Sequence, residues 1–268
     1  MKTVLLAGCG KMGSAMLAGW LDNLDGDLNF IIVDPLIAND HFACNHDRVT
    51  VMTELPSVLP QLDMIVLAMK PQMLPEALPA LAGFANQNTV WLSIAAGITT
   101  KKLKEALGAN ALVIRTMPNT PAAIGKGITA MLIDDAVPAQ MSDMAKSMMA
   151  VIGETVIVKN ELDMDRVTAV SGSGPAYIFL MREVLEKAGI KAGLSPDIAA
   201  KLASATMSGS VALMDEGSTT PEQLRINVTS PNGTTQAALD VLMSEDGLQK
   251  LVDDAVLAAR DRSIELGK

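Results

Sequence analysis

Short apolar runs alternate with segments of helical apolar spacing through the first 160 residues. Thr3–Ala7, Phe30–Val33, Met64–Ala68, Val90–Ser93 and Leu112–Arg115 read as strands, with a weaker one at Val49–Met52. Between them, Met12–Leu21, Leu74–Leu81 and Thr100–Leu107 space their apolar residues as helices do. Alternation at this spacing predicts parallel βαβ units with helices on both faces of a sheet. Two further β-like runs, Gly127–Ile133 and Thr155–Val158, flank a helical stretch, Ala139–Met149, and can extend that sheet. After Lys159 strand signals stop. Asp163–Val170, Pro175–Ala188, Pro196–Met214, Pro221–Leu224, Thr234–Leu242 and Leu248–Leu266 read as helices, separated by Gly, Pro, Ser or Asn. The pattern predicts an α/β domain over residues 1–160 and an all-helical one over 161–268.

Composition narrows the function classes. Of 268 residues, 49% are hydrophobic but only 3% aromatic, and the net charge is −9. That excludes a non-specific nucleic-acid binder and a base-stacking platform. No apolar run approaches the roughly 18 residues of a membrane span. Leu6-Ala7-Gly8-Cys9 looks like a lipoprotein cleavage site, but only Val4–Ala7 precedes Cys9 as an apolar stretch, against roughly 7–15 for a signal core. A cytoplasmic location follows as the expectation, with Cys9 and Cys44 as reduced thiols. His41, Cys44 and His46 cluster, but their spacing fits no common zinc site and a fourth ligand is missing, so no metal is expected.

The first strand runs into Gly8-Cys9-Gly10-Lys11-Met12-Gly13, with a helix after it. In that setting G-x-G-x-x-G marks a Rossmann-type dinucleotide-binding domain. The first glycine makes the turn, the second admits the pyrophosphate, and the third lets helix and strand pack. Asp34 ends the second strand about 20 residues further on, where an acid accepts from a ribose 2′-hydroxyl. Asp34-Pro35 can instead turn that side chain away, and Arg48 is the nearest arginine for a phosphate. Ala68-Met69-Lys70-Pro71 and Ile94-Ala95-Ala96-Gly97 follow later strands, at the carboxyl ends where such sheets bind ligands. Met117-Pro118-Asn119-Thr120-Pro121 makes a stiff loop that brings Asn119 toward a substrate or nicotinamide amide.

In the helical half, Ser171-Gly172-Ser173-Gly174-Pro175 opens a helix, with Pro in its first turn. Val228-Thr229-Ser230-Pro231-Asn232-Gly233-Thr234-Thr235 precedes another; its N–H groups and hydroxyls suit a small carboxylate, or simply cap the helix. The small-residue stripe Ala199, Ala200, Ala203, Ser204, Ala205, Ser208, Gly209, Ser210 and Ala212 fits close helix packing, within one subunit or between two. This half holds no His or Cys and one Tyr, Tyr177. A dehydrogenase acting on an alcohol or ketone needs a strong acid–base group. An imine needs less, because an iminium carbon accepts hydride readily.

These motifs together resemble the pyrroline-5-carboxylate reductases. The likeness runs nearly end to end, through Lys70-Pro71, Ser93–Gly97, Arg115–Pro121, Ser171–Tyr177 and Val228–Thr235. It implies NADPH-dependent, less often NADH-dependent, reduction of L-1-pyrroline-5-carboxylate to L-proline, the last step of proline synthesis. It also implies a Rossmann domain followed by an all-α dimerisation domain, with the active site near the interface of a homodimer that can build a decamer of five dimers. By position, Thr235 matches the hydroxyl held near the ring nitrogen. Gly233 and Thr234 match donors to the substrate carboxylate, with Ser230 close by. Asn227 matches a contact near the nicotinamide, and Glu161 a weaker one. NADP-favouring members often carry a small polar residue and basic help after the second strand, where this chain has Asp34-Pro35; family usage still favours NADP(H) over NAD(H). The alternatives are a β-hydroxyacid dehydrogenase and a nucleotide-sensing regulator without catalysis. The first expects a catalytic Lys, with an Asn a few residues on, in the first long helix of the second half, which holds Lys187 near its end and no Asn.

Overall fold

The computed structural model describes residues 1–24 and 26–267. They form two compact units, Met1–Ser173 together with the chain from Ala259 onward, and Gly174–Ala258. The first is built on an eight-stranded sheet: β1 (Lys2–Ala7), β2 (Leu28–Val33), β3 (Val49–Met52), β4 (Met64–Leu67), β5 (Val90–Ser93), β6 (Leu112–Met117), β7 (Gly127–Ile133) and β8 (Gly153–Ile157). Their order is β3-β2-β1-β4-β5-β6-β7-β8. Only β6 and β7 run antiparallel. The two β-like runs after the fingerprint domain thus extend the sheet at one edge.

Alternation sends successive side chains to opposite faces, and both are covered. Val4, Leu6, Phe30, Ile32, Val66 and Leu92 pack with α1 (Lys11–Asn23) and α4 (Ala139–Ala150). Leu5, Ala7, Ile31, Ile65, Leu67 and Trp91 pack with α2 (Leu74–Ala82) and α3 (Thr100–Leu107). With so few rings, methionine fills the first of these cores: Met16, Met64, Met131, Met148 and Met149 are buried. Trp20 stacks on Phe30 with centroids 5.5 Å apart, and its indole N–H donates to Met148 O at 2.8 Å.

Strands end at Ile157, and α5 (Glu161–Val167) follows. Its Met164 is buried with Met117 and Ala130, so this helix belongs with the sheet. The chain then makes a wide π-helical turn, Thr168–Gly172, between α5 and the helix that the Ser171–Pro175 run opens. The hydroxyls explain it: Thr168 donates to Met164 O at 2.8 Å and Ser171 to Val167 O at 3.1 Å, holding the helical path.

The second unit holds α6 (Gly174–Lys191), α7 (Pro196–Asp215), α8 (Pro221–Asn227), α9 (Thr234–Leu242) and most of α10 (Leu248–Leu266). Gly189 lets α6 approach Ala199 of α7, where an added Cβ would lie 3.3 Å from the Ala199 Cβ. Among its described residues only Ala199 and Ala203 are buried hydrophobics, while Phe179 is 66% exposed and Ile178, Leu180, Leu202 and Leu213 more than half exposed. A unit with this much uncovered apolar surface needs another copy or another surface to complete its core. Among the described residues no helix is long and apolar enough to cross a membrane.

Candidate active site

The glycine loop has the geometry that its spacing predicts. Gly8 sits at φ +93°, and a Cβ there would lie 2.9 Å from the Ala68 carbonyl carbon. A Cβ on Gly13 would lie 2.5 Å from Gly8 O, so only glycine lets α1 start there. Gly10 is different: an added Cβ would meet nothing within 4 Å, which leaves open room above the backbone. The first helical bond runs from Ser14 N to Gly10 O at 2.8 Å. The N–H groups of Lys11, Met12 and Gly13 therefore lack helical acceptors at the positive end of α1. An open approach beside bare N–H groups fits a dinucleotide pyrophosphate.

Asp34 closes this loop from the side. Its Oδ2 accepts from Cys9 N–H at 2.6 Å and its Oδ1 from Leu36 N–H at 2.8 Å. The side chain makes the turn that Asp34-Pro35 allows and still faces the glycine loop. Ser14 Oγ donates to Cys9 O at 2.8 Å and lies 3.0 Å from His41 Nε2. Burial pushes the Cys9 thiol pKa above its ordinary value, so it is a protonated packing group at neutral pH. Arg48 does not serve this end. Its guanidinium donates to Leu24 O at 3.1 Å and Leu21 O at 2.5 Å, satisfying carbonyls at the far end of α1.

The remaining loops follow β4, β5 and β6. Ala68 and Met69 back Gly8, and Lys70 is exposed where Pro71 starts a 3-10 turn. Ser93 Oγ accepts from Ala95 N–H at 3.2 Å, shaping Ile94–Gly97. Gly97, at φ +70°, lies against Leu266, where a Cβ would come within 2.8 Å of the Leu266 Cβ. Asn119 is a brace: Oδ1 accepts from Ile128 N–H at 2.9 Å and Nδ2 donates to Ser171 O at 3.2 Å. Arg115, on β6, is buried and paired with Glu161 of α5, whose other oxygen accepts from Thr100 N–H at 2.6 Å.

In the helical unit, Gly233 N–H donates to Ser230 O at 2.9 Å, and Asn232 turns the chain at φ 58°. Helical bonding in α9 begins with Ala237 N to Gly233 O, so Thr234, Thr235 and Gln236 present N–H groups with no helical acceptor. Thr229 Oγ1 is spent on Arg225 O at 2.6 Å. Asn227 ends α8 and accepts from Gln223 Nε2 at 2.9 Å. Lys187 is exposed and pairs with Glu183 at 2.5 Å, an ordinary i,i+4 contact that raises its own pKa and lowers that of Glu183. That is not the setting of a catalytic lysine.

The model for pyrroline-5-carboxylate reductase dimerisation matches residues 161–266. A pyrroline-5-carboxylate reductase from Corynebacterium melassecola is 34% identical over 271 residues, covering 100% of both chains. The chain belongs to the pyrroline-5-carboxylate reductase family. A solved reductase of this family from Coxiella burnetii superposes with a TM-score of 0.88 at 30% identity, covering 99% of this chain and 98% of that one. A Plasmodium falciparum pyrroline carboxylate reductase, solved with NADP bound, gives 0.84 at 28%, covering 100% and 98%. A family whose second part is a dimerisation domain accounts for the uncovered apolar helices here: the chain is a homo-oligomer.

Sequence reasoning missed Ser14, Ser93 and Arg115 as supports. Ser14 follows the fingerprint directly and was legible as a hydroxyl one turn from Cys9. Arg115 breaks the apolar run of β6, and a charge inside a central strand signals a buried partner.

Proposed function

We propose that the chain reduces L-1-pyrroline-5-carboxylate to L-proline at the expense of NADPH or NADH, with Thr235 as the hydroxyl that serves the ring nitrogen. What carries the reading is similarity along the whole of a known reductase. When bound, the nicotinamide supplies the hydride. Lys11, Met12 and Gly13 N–H groups would hold the pyrophosphate beside Gly10, with Cys9 in the loop and Asp34 at the ribose. Ala68, Met69, Lys70, Pro71, Ile94, Ala95 and Ala96 line the strand ends along which the cofactor would lie, and the loop that Asn119 braces would meet its nicotinamide end.

The N–H groups of Thr234 and Thr235, with Gly233 and Ser230, suit the substrate carboxylate at the positive end of α9. The substrate reacts as the protonated imine, so the proton already on nitrogen stays there when hydride adds to carbon, and Thr235 Oγ1 hydrogen-bonds to the lone pair that the addition releases. No titratable acid is required, which fits a second half of the chain that holds no His or Cys. Assembly beyond a dimer, up to five dimers, and a cytoplasmic location belong to the same reading.

Thr235→Ala should lower kcat about a hundredfold, the usual effect of losing a positioned proton donor, with NADPH affinity nearly unchanged. Thr235→Ser should recover most of the rate. Full turnover by Thr235→Ala removes the role.

A further inference from the structure

We infer that the adenosine end of this site is built for NADH and disfavours the 2′-phosphate of NADPH, and that Asp34 sets the preference. The inference rests on the glycine loop being the dinucleotide site.

Three observations carry it. The Asp34 carboxylate is fixed, not swung away: Cys9 N–H holds one oxygen at 2.6 Å and Leu36 N–H the other at 2.8 Å. Each oxygen keeps acceptor capacity for a ribose hydroxyl. Second, an open groove of about 670 Å³ lies at the carboxyl ends of β2 and β3, lined among others by Ile37, Asn39, Met52 and Glu54. It adjoins Asp34, whose N–H donates to Met52 O at 3.1 Å and whose carbonyl accepts from Ile37 N–H at 3.3 Å. Glu54 is the one charged residue in its lining. Third, the stretch around the second strand brings no free cation to this groove. From Met12 through Asp47 the sequence holds no Lys or Arg, while Asp34, Asp40 and Asp47 follow the second strand. Arg48 is committed to the carbonyls of Leu21 and Leu24. His41 is engaged locally at both ring nitrogens, with Ala43 N–H on Nδ1 and Ser14 Oγ on Nε2.

A 2′-phosphate brings about −1.5 to −2 charges at pH 7. Beside the held Asp34 carboxylate and Glu54 it meets repulsion, whereas a 2′-hydroxyl donates to Asp34. NADPH is then still a substrate, taken up less tightly.

Equilibrium titration of the full-length protein with NADH and NADPH, by calorimetry or nicotinamide fluorescence, tests this without turnover. NADH should bind about tenfold more tightly, and Asp34→Ser should cut that ratio at least threefold by improving NADPH. A wild-type ratio under threefold, or one unchanged in Asp34→Ser, overturns the inference. Displacement of NADH from wild type by ADP-ribose against 2′-phospho-ADP-ribose repeats the comparison with no variant to fold. If NADH binds the more tightly but neither cofactor is oxidised with pyrroline-5-carboxylate, the reductase reading fails and this one stands.

Discussion

Replacing Glu161 with Gln leaves the Arg115 guanidinium in the sheet without its counter-charge. The Arg115 side chain is 1% exposed, and its Nε and Nη2 already lack partners, so Glu161 is its one neutralising contact. Removing one member of a buried ion pair costs about 3–5 kcal/mol. Glu161 is itself 34% exposed, which lets water reach the vacated position and brings the expectation to about 2–3 kcal/mol. Arg115→Met should cost much less, about 1 kcal/mol. Its chain fills most of the same volume, no charge is left buried, and Glu161 keeps Thr100 N–H and water. For a chain of this size the melting midpoint should fall about 5–10 °C for Glu161→Gln and about 2–4 °C for Arg115→Met. Calorimetric melting at one fixed protein concentration compares them, because the chain is an oligomer. An Arg115→Met loss equal to or larger than that of Glu161→Gln would refute the asymmetry.

Gly13→Ala places a methyl 2.5 Å from Gly8 O, so NADH affinity should fall at least tenfold while the helical unit is unaffected; unchanged affinity in a titration contradicts the cradle. Phe179→Glu puts a charge on a side chain 66% exposed in the isolated chain and should yield a smaller species by light scattering; an unchanged mass places Phe179 outside the subunit contact. Buried Cys9, its pKa raised by desolvation, should alkylate far more slowly at pH 8 than exposed Cys44, as peptide mass spectrometry would show; equal rates refute its burial. Burial pushes the Asp134 carboxyl up, but the Lys104 hydrogen bond and charge with Ala136 N–H outweigh it, leaving its pKa below the ordinary 3.8. That stabilisation is complete above the unfolded value and lost as pH falls through the folded one. Asp134→Asn should therefore flatten the stability profile below about pH 4; parallel profiles contradict it.

The apolar pattern alone located β3, β5, β7, α3, α9 and α10 to the residue, because each is an apolar run or stripe bounded by polar or turn-forming residues. The fingerprint was equally legible, since its glycines answer local needs: a positive φ at Gly8 and a helix start that excludes a Cβ at Gly13. What escaped depends on residues brought together by the fold. Arg115 and Glu161 meet across two elements, His41 reaches Ser14 through a loop, and Arg48 caps a helix that ends two dozen residues earlier. The direction of Asp34 could not be read either, because a turn-forming and a loop-facing carboxylate have the same sequence; here one side chain does both. In α6 the run Ile178-Phe179-Leu180-Met181 is apolar on successive residues. One chain exposes it, because the covering surface is not part of that chain's own fold.

Hydride transfer to the imine carbon is most directly tested by incubating the purified full-length protein with L-1-pyrroline-5-carboxylate and NADH deuterated at the transferable C4 position. Mass spectrometry should find L-proline carrying a single deuterium on the ring carbon that was the imine carbon, in step with the loss of nicotinamide absorbance. Proline without label, or no cofactor oxidation with this substrate, would contradict the account.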